Sequence, residues 1–302
     1  MPELPEVEVV RAGLASYVTG ARVLGVDVFE PRSLRRHDRR YGDFESLVTG
    51  RVLGEPTRRG KFLWIGFADD PDRALLSHLG MSGQILVREP GAQPSSQLRI
   101  RLHVEAPRPA GESSVPLWVD FVDQRIFGSM AVDRLVPTSD GFSGGHGSAA
   151  ARVPEQVAHI ARDPLDPAWD DDAFVAALAT RRTGIKRVLL DQGAVSGIGN
   201  IYADESLWAS RIHGEQPAAT LDANQAHTLI EEVRTVLWRA LAEGGTSFDE
   251  QYKNVNGQSG YFAHSLTVYG QQGKPCPRCG TEIRRERFMN RSSHFCPTCQ
   301  SV

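Results

Sequence analysis

Cys276-Pro-Arg-Cys279 is followed, sixteen residues later, by Cys296-Pro-Thr-Cys299, and these are all four cysteines of the chain. Two CxxC knuckles at this separation can set four thiolates tetrahedrally around one zinc ion. With four protein ligands no coordination position stays open, so the ion would be structural rather than catalytic. Ile283, Phe288 and Phe295 would form the small core of a two-stranded ribbon. Such ribbons serve many purposes, and this one does not by itself name a function.

A different chemistry is available at the start, Met1-Pro2-Glu3-Leu4-Pro5-Glu6-Val7-Glu8. An initiator methionine is normally removed when a small residue follows, which would leave Pro2 as a free secondary amine. An α-amino group titrates near pKa ~8, against ~10.4 for lysine, so roughly a tenth is unprotonated at neutral pH. Such an amine can attack a sugar C1′. The resulting iminium ion is an electron sink for β-elimination, and Glu3 and Glu6 offer carboxylates for proton transfer. The same residues equally describe a helix start, with proline in the first turn and acids at the positive end of the dipole.

Val195-Ser196-Gly197-Ile198-Gly199-Asn200-Ile201-Tyr202 is a third candidate. A Gly-x-Gly turn before Asn at a helix start presents N–H groups to an anion. A tight turn with an Asn cap explains it as well.

Composition sets the frame for these sites. The 302 residues are 40% hydrophobic and carry a net charge of −3, which by itself argues mildly against nucleic acid. The charge is unevenly spread: from Lys253 to Val302 there are seven basic residues against Glu282 and Glu286. Arg32, Arg35, Arg36, Arg39 and Arg40 form a second basic run, and Arg58, Arg59 and Lys61 a third. A basic face on an acidic body suits DNA; solvated surface is the plainer explanation of each run. There is no apolar run of ~18 residues and no secretory leader, so the expectation is a cytoplasmic, nucleoid-associated protein. In that reducing compartment metal is favoured over disulfides.

The elements that must position these residues can be read from hydrophobic period. Residues 5–18 predict a helix with Val7, Val10, Leu14 and Val18 as its apolar stripe, ended by Thr19-Gly20. From Arg22 to Val136 the period is two, and Leu98 to Val104 alternates strictly, predicting one buried and one basic, solvated face. Residues 62–65, 74–76 and 117–119 are shorter strand candidates. Thr138–Ala151, rich in glycine and serine, predicts a flexible linker. Beyond it the period is helical, with short helices around 171–180, 184–191 and 202–211. A longer one is opened by an Asp222–Gln225 capping box and stopped at Gly244-Gly245. Gly244–Tyr261 is a polar loop.

Taken in order, Met-Pro-Glu-Leu-Pro-Glu-Val, Arg-Gly-Lys61, His78-Leu-Gly-Met81-Ser-Gly, Asp123-Gln-Arg125-Ile-Phe127-Gly, Gly197-Ile-Gly-Asn200-Ile-Tyr202-Ala-Asp-Glu, Gly260-Tyr-Phe and the double CxxC span nearly the whole chain. Together they closely resemble the formamidopyrimidine-DNA glycosylase family of 8-oxoguanine glycosylase/AP lyases. The resemblance implies an α+β multidomain fold. A β-sandwich with a leading helix (2–137) and a linker (138–151) would precede a helix-two-turns-helix domain (152–245). A lesion-capping loop (246–264) with Tyr261 and Phe262 and a zinc finger (265–302) would follow, with duplex DNA in the cleft. It implies Pro2 as nucleophile and Schiff-base former, Glu3 as proton donor to the sugar, Lys61 for β-elimination and Arg291 for δ-elimination. Met81 and Phe127 would wedge into the stack, Arg125 would face the orphaned cytosine, and Arg181, Lys186, Asn200 and Tyr202 would complete the DNA contacts. One structural Zn2+, held by Cys276, Cys279, Cys296 and Cys299, and a monomeric enzyme without membrane contact are implied too.

Two features depart from the family. Ser95-Ser96-Gln97 stand where relatives often carry a histidine, and the Gly/Ser segment is longer. An endonuclease VIII-type enzyme would typically begin Pro-Glu-Gly-Pro-Glu, where this chain has Pro2-Glu3-Leu4-Pro5-Glu6. A non-catalytic zinc-ribbon protein would not need Pro2, Glu3 and Lys61 together.

Overall fold

A computed structural model describes residues 2–107, 113–246, 255 and 261–301. The chain forms two compact units, Met1–His159 with Gly244–Gly260, and Ile160–Glu243 with Tyr261–Val302.

The first unit opens with α1 (Leu4–Val18), whose Val7, Val10, Leu14 and Val18 are fully or almost fully buried. Strands β1 (Arg22–Val28), β2 (Leu53–Arg59), β3 (Phe62–Phe67), β4 (Asp70–His78), β5 (Gly83–Arg88), β6 (Leu98–Ala106), β7 (Val115–Asp123), β8 (Ser129–Pro137) and β9 (Arg152–Pro154) follow, with a short helix α2 (Phe44–Val48) after β1. They pair antiparallel in two sheets, β1-β6-β7-β5 and β2-β3-β4-β8-β9. One core joins the α1 stripe to Leu63, Ile65, Leu75, Ile85, Ile100, Leu102, Phe121 and Val132 from both sheets. The expected sandwich behind a leading helix is what this half builds, because alternating apolar residues give each sheet one face to bury.

Two expectations fail here in instructive ways. The outer face of β6 is not simply solvated. Arg101 is buried, held by Asp120 on β7 through bonds of 2.6 and 2.7 Å and lying 3.7 Å from the Trp118 ring centroid. A guanidinium under a paired carboxylate and an aromatic ring can be covered where a lone charge could not. Nor is 138–151 a linker. Arg58 and His146 exchange backbone hydrogen bonds, and β9 pairs with the end of β8. Side chains at Gly144 or Gly145 would collide with the backbone of Arg152 or Arg58, so the glycines serve close packing rather than freedom. The boundary of the first unit therefore lies near His159 rather than 137.

The second unit contains α3 (Asp171–Leu178), α4 (Ile185–Leu190), α5 (Asn200–Ala209) and α6 (Ala223–Ala242), then the hairpin β10 (Arg284–Phe288) and β11 (Arg291–Phe295). The Asp222–Gln225 capping box opens α6 as expected. Ile283, Phe288 and Phe295 are buried in the hairpin module.

Candidate active site and nucleic-acid interface

In the first unit, Pro2 and Glu3 are buried just before α1. Glu6, one turn on, is not a waiting base. Its carboxylate accepts from the Glu3 N–H at 2.8 Å and from Thr246 N and Oγ1 at 2.7 and 3.0 Å. It fixes the backbone that follows Pro2. Lys61 stands in the two-residue turn between β2 and β3, since Arg59 pairs with Phe62. Arg58 supports that turn from below, bonding Glu8 of α1 at 2.8 Å and the Gly60 carbonyl at 3.3 Å. Burial works to raise the Glu8 carboxyl, but the hydrogen bond from Arg11 and the Arg58 charge outweigh it and hold Glu8 ionised below the usual range. Arg58 and Arg59 are thus buried and not part of a solvated basic run.

Met81 and Phe127 are 38% and 46% exposed, on two adjoining loops. Asp123, fully buried, knits those loops by accepting from Ser82 Oγ at 2.6 Å, Arg125 N at 3.1 Å and Gly128 N at 2.6 Å. Gly80 sits at φ +64°, where a side chain would strike the Phe127 and Gly128 backbone. Ile126 is β-branched yet has φ 57°, a strained conformation. Arg35 pins this turn, bonding the Ile126 carbonyl at 2.8 Å and the Phe127 carbonyl as well. The Arg125 guanidinium lies 5.3 Å from the Phe127 ring centroid. Beneath this platform His78 accepts from Gly80 N through Nδ1. Burial and the charges of Arg36, Lys61 and Arg35 push its pKa down to about 4, so the imidazole is neutral at pH 7.

In the second unit, α5 carries a polar stripe. Asn200 donates to the Ser292 carbonyl at 2.9 Å, and Asp204 accepts from His294 N at 2.8 Å. Glu205 accepts from the N–H groups of Thr267, Val268 and Tyr269, its carboxyl raised by burial against those bonds. Asn200 is the first residue of α5 and Gly199 the cap, so the Asn-cap alternative does not hold. Arg291 is exposed at the start of β11, at the hairpin these contacts fix.

Two expected DNA contacts, Lys186 and Tyr202, are placed otherwise. Lys186 is fully buried, 2.5 Å from Asp204 and 4.6 Å from the Phe288 ring centroid; its charge serves a buried pair. Tyr202 is also fully buried and stacks on Phe262 with centroids 5.9 Å apart, so Phe262 is held in the core of the second unit, whereas Tyr261 is 71% exposed. Arg181 pairs with Asp191 at 2.8 Å on the surface. Apart from Val255, residues 247–260 of the capping loop lie outside the described residues.

The cysteine sulfurs all lie within 4.8 Å of one another, with Cys276–Cys299 at 4.0 Å and Cys279–Cys296 at 3.5 Å. Zn–S bonds of ≈ 2.3 Å in a tetrahedron place sulfurs about 3.8 Å apart, so the set fits one zinc. These separations exclude disulfides, whose S–S distance is ~2.05 Å. A bound zinc would supply only a closed structural node.

Sequence models of three domains match: the formamidopyrimidine-DNA glycosylase N-terminal domain over residues 1–130, its H2TH domain over 160–251, and a zinc finger found in FPG and IleRS over 273–302. The chain belongs to the formamidopyrimidine-DNA glycosylase family. A formamidopyrimidine-DNA glycosylase of Leifsonia xyli subsp. xyli is 66% identical over 302 residues, covering 100% of both chains. One of Thermobifida fusca is 53% identical over 300 residues, 99% of this chain and 97% of the relative. Among solved structures, a Lactococcus lactis Fpg in complex with DNA containing an abasic site superposes with a TM-score of 0.80 at 28% identity, over 99% of this chain and 100% of that one. Another, with DNA containing Fapy-dG, gives 0.78 at 27%, with the same coverage. Within this family fold, Arg35, Asp123, Asp204 and Glu205 hold the site's loops and hairpin, a role that their places in the basic run and the motifs did not reveal. For the last two a signal existed, since two acids adjoin in the middle of a largely buried helix, where unpaired charge is not tolerated.

Proposed function

We propose that this chain is a bifunctional DNA glycosylase and AP lyase that excises oxidised purines from duplex DNA. The observation that carries the reading is the pair Pro2–Glu3, buried at the head of α1, in a chain that a formamidopyrimidine-DNA glycosylase matches over all 302 residues. The related Lactococcus lactis enzyme was solved with abasic and Fapy-dG DNA.

With Met1 removed, the Pro2 nitrogen lone pair attacks C1′ of the damaged nucleotide. The glycosidic bond breaks and the base departs with that bond's electrons and a proton. Glu3 protonates the sugar ring oxygen, the ring opens, and an iminium ion links Pro2 to C1′. The cation makes the C2′ proton acidic; its loss expels the 3′ phosphate, and a second elimination expels the 5′ phosphate. Lys61 assists the first elimination and Arg291 the second, each able to stabilise phosphate oxygens as they leave. Flipping the nucleotide costs a few kcal/mol. Met81 and Phe127 fill the vacated stack, and Arg125 donates to the unpaired cytosine. Asn200 and Arg181 hold phosphate, and Tyr261 belongs to the loop covering the extruded base. The enzyme acts as a cytoplasmic monomer. No helix among the described residues is long and apolar enough to cross a membrane.

Borohydride reduction in the presence of duplex DNA with 8-oxoguanine opposite cytosine tests the reading. A covalent adduct that maps to Pro2 supports it; active enzyme that yields no adduct rejects the Schiff base.

A further inference from the structure

The zinc module is fastened to the C-terminal end of α5 by side chains from both CxxC knuckles. The indole Nε1–H of Trp208 donates to the Cys276 sulfur at 3.5 Å. The guanidinium of Arg278, inside the same CxxC knuckle, lies 4.1 Å from the Trp208 ring centroid and bonds the Trp208 carbonyl at 2.9 Å and the Ala209 carbonyl at 3.2 Å. From the second knuckle, Gln300 accepts from Cys296 N at 2.9 Å and donates to the Ile212 carbonyl at 3.0 Å. Both knuckles therefore rest on residues 208–212.

We propose that Trp208 is a positioning residue of the zinc centre, holding the Cys276 thiolate in ligating geometry and withdrawing charge from it. Four thiolates around one divalent ion leave excess negative charge, and Cys276 and Cys296, at 2% and 0% exposure, are closed to water that could offset it. An indole N–H donates and cannot accept, so it matches a thiolate, which only accepts. The Arg278 guanidinium on the indole face holds the ring in place. Partners of this kind orient ligands and strengthen metal retention.

The test uses the full-length zinc-loaded protein. Trp208→Phe keeps a ring for Arg278 to stack on but removes the N–H. We expect its zinc release to a chromogenic chelator to be roughly tenfold faster, at unchanged far-ultraviolet dichroism. In cobalt-substituted protein, the thiolate-to-cobalt absorption band should move to longer wavelength, because the sulfur regains charge. Arg278→Met loosens the seat but leaves the N–H, so it should speed release without moving the band. Zinc bound stoichiometrically, with release and band both unchanged in Trp208→Phe, overturns this proposal alone. So does a band that moves equally in Arg278→Met. Wild-type protein that retains no zinc overturns the metal assignment along with it.

Discussion

Glu6 and Thr246, 240 positions apart, are joined by two hydrogen bonds of 2.7 and 3.0 Å, while the other Glu6 oxygen holds the backbone of Glu3. The contact ties the residue after Pro2 to the first residue of the capping loop. Glu6→Gln keeps the size but replaces one acceptor by a donor facing a donor. We expect it to cost about 1–3 kcal/mol of stability, the usual cost of leaving a buried group unmatched. Borohydride trapping should fall at the same time. Urea denaturation and trapping yields on one preparation check this; wild-type values in both would show the contact to be incidental.

Pro2 itself gives the most direct experiment. Pro2→Gly retains an amine but makes it primary and removes the ring that fixes its direction. Base excision should fall sharply in a glycosylase assay on an 8-oxoguanine duplex, and full activity would move the nucleophile elsewhere. Mass spectrometry of active wild-type protein should find the initiator methionine absent.

Arg35 holds the carbonyls of Ile126 and Phe127. Without it the strained Ile126 turn should relax, and the Phe127 wedge with it. Arg35→Met should lower the rate of nucleotide flipping, followed by 2-aminopurine fluorescence beside the lesion, by roughly ten- to a hundredfold. Cleavage of a preformed abasic site should suffer less. Equal loss on both substrates would mean Arg35 contacts DNA instead.

His78 makes stability pH-dependent. Its folded pKa of about 4 lies below its ordinary value of 6.5. The unfolded chain therefore binds the extra proton first, and stability is full above pH 6.5 and declines toward pH 4. The slope within that window is up to about 1.4 kcal/mol per pH unit. His78→Asn should flatten that part of the profile, measured by urea midpoints at several pH values.

Lys186 and zinc separate structural from phosphate-binding charge. Lys186→Met strands the buried Asp204 and should destabilise the second unit by about 3–5 kcal/mol. Yet the salt dependence of DNA affinity should keep its slope, whereas loss of a phosphate contact would lower it by about 1. Chelation of zinc should abolish DNA binding while the dichroism of the sandwich persists. Unchanged affinity after verified metal loss would refute a role for the finger in binding.

The residues that do local chemistry were legible in the chain. Cys276, Cys279, Cys296 and Cys299 declare a tetrahedral site by spacing alone, because a CxxC knuckle is a local turn. The α1 stripe and the Asp222–Gln225 capping box are likewise set by neighbours within one or two turns. What the tertiary structure decided was which charges meet water. Nothing in local sequence separates Lys186, buried against Asp204, from Arg291, exposed on its hairpin, or Arg101 under Trp118 from a solvated strand arginine. A buried cation is stable only beside a partner brought from elsewhere in the chain, and Gly144–Gly145 became a packing surface only when Arg58 and Arg152 arrived against it. Local spacing sets which atoms could react; long-range packing sets which of them remain available.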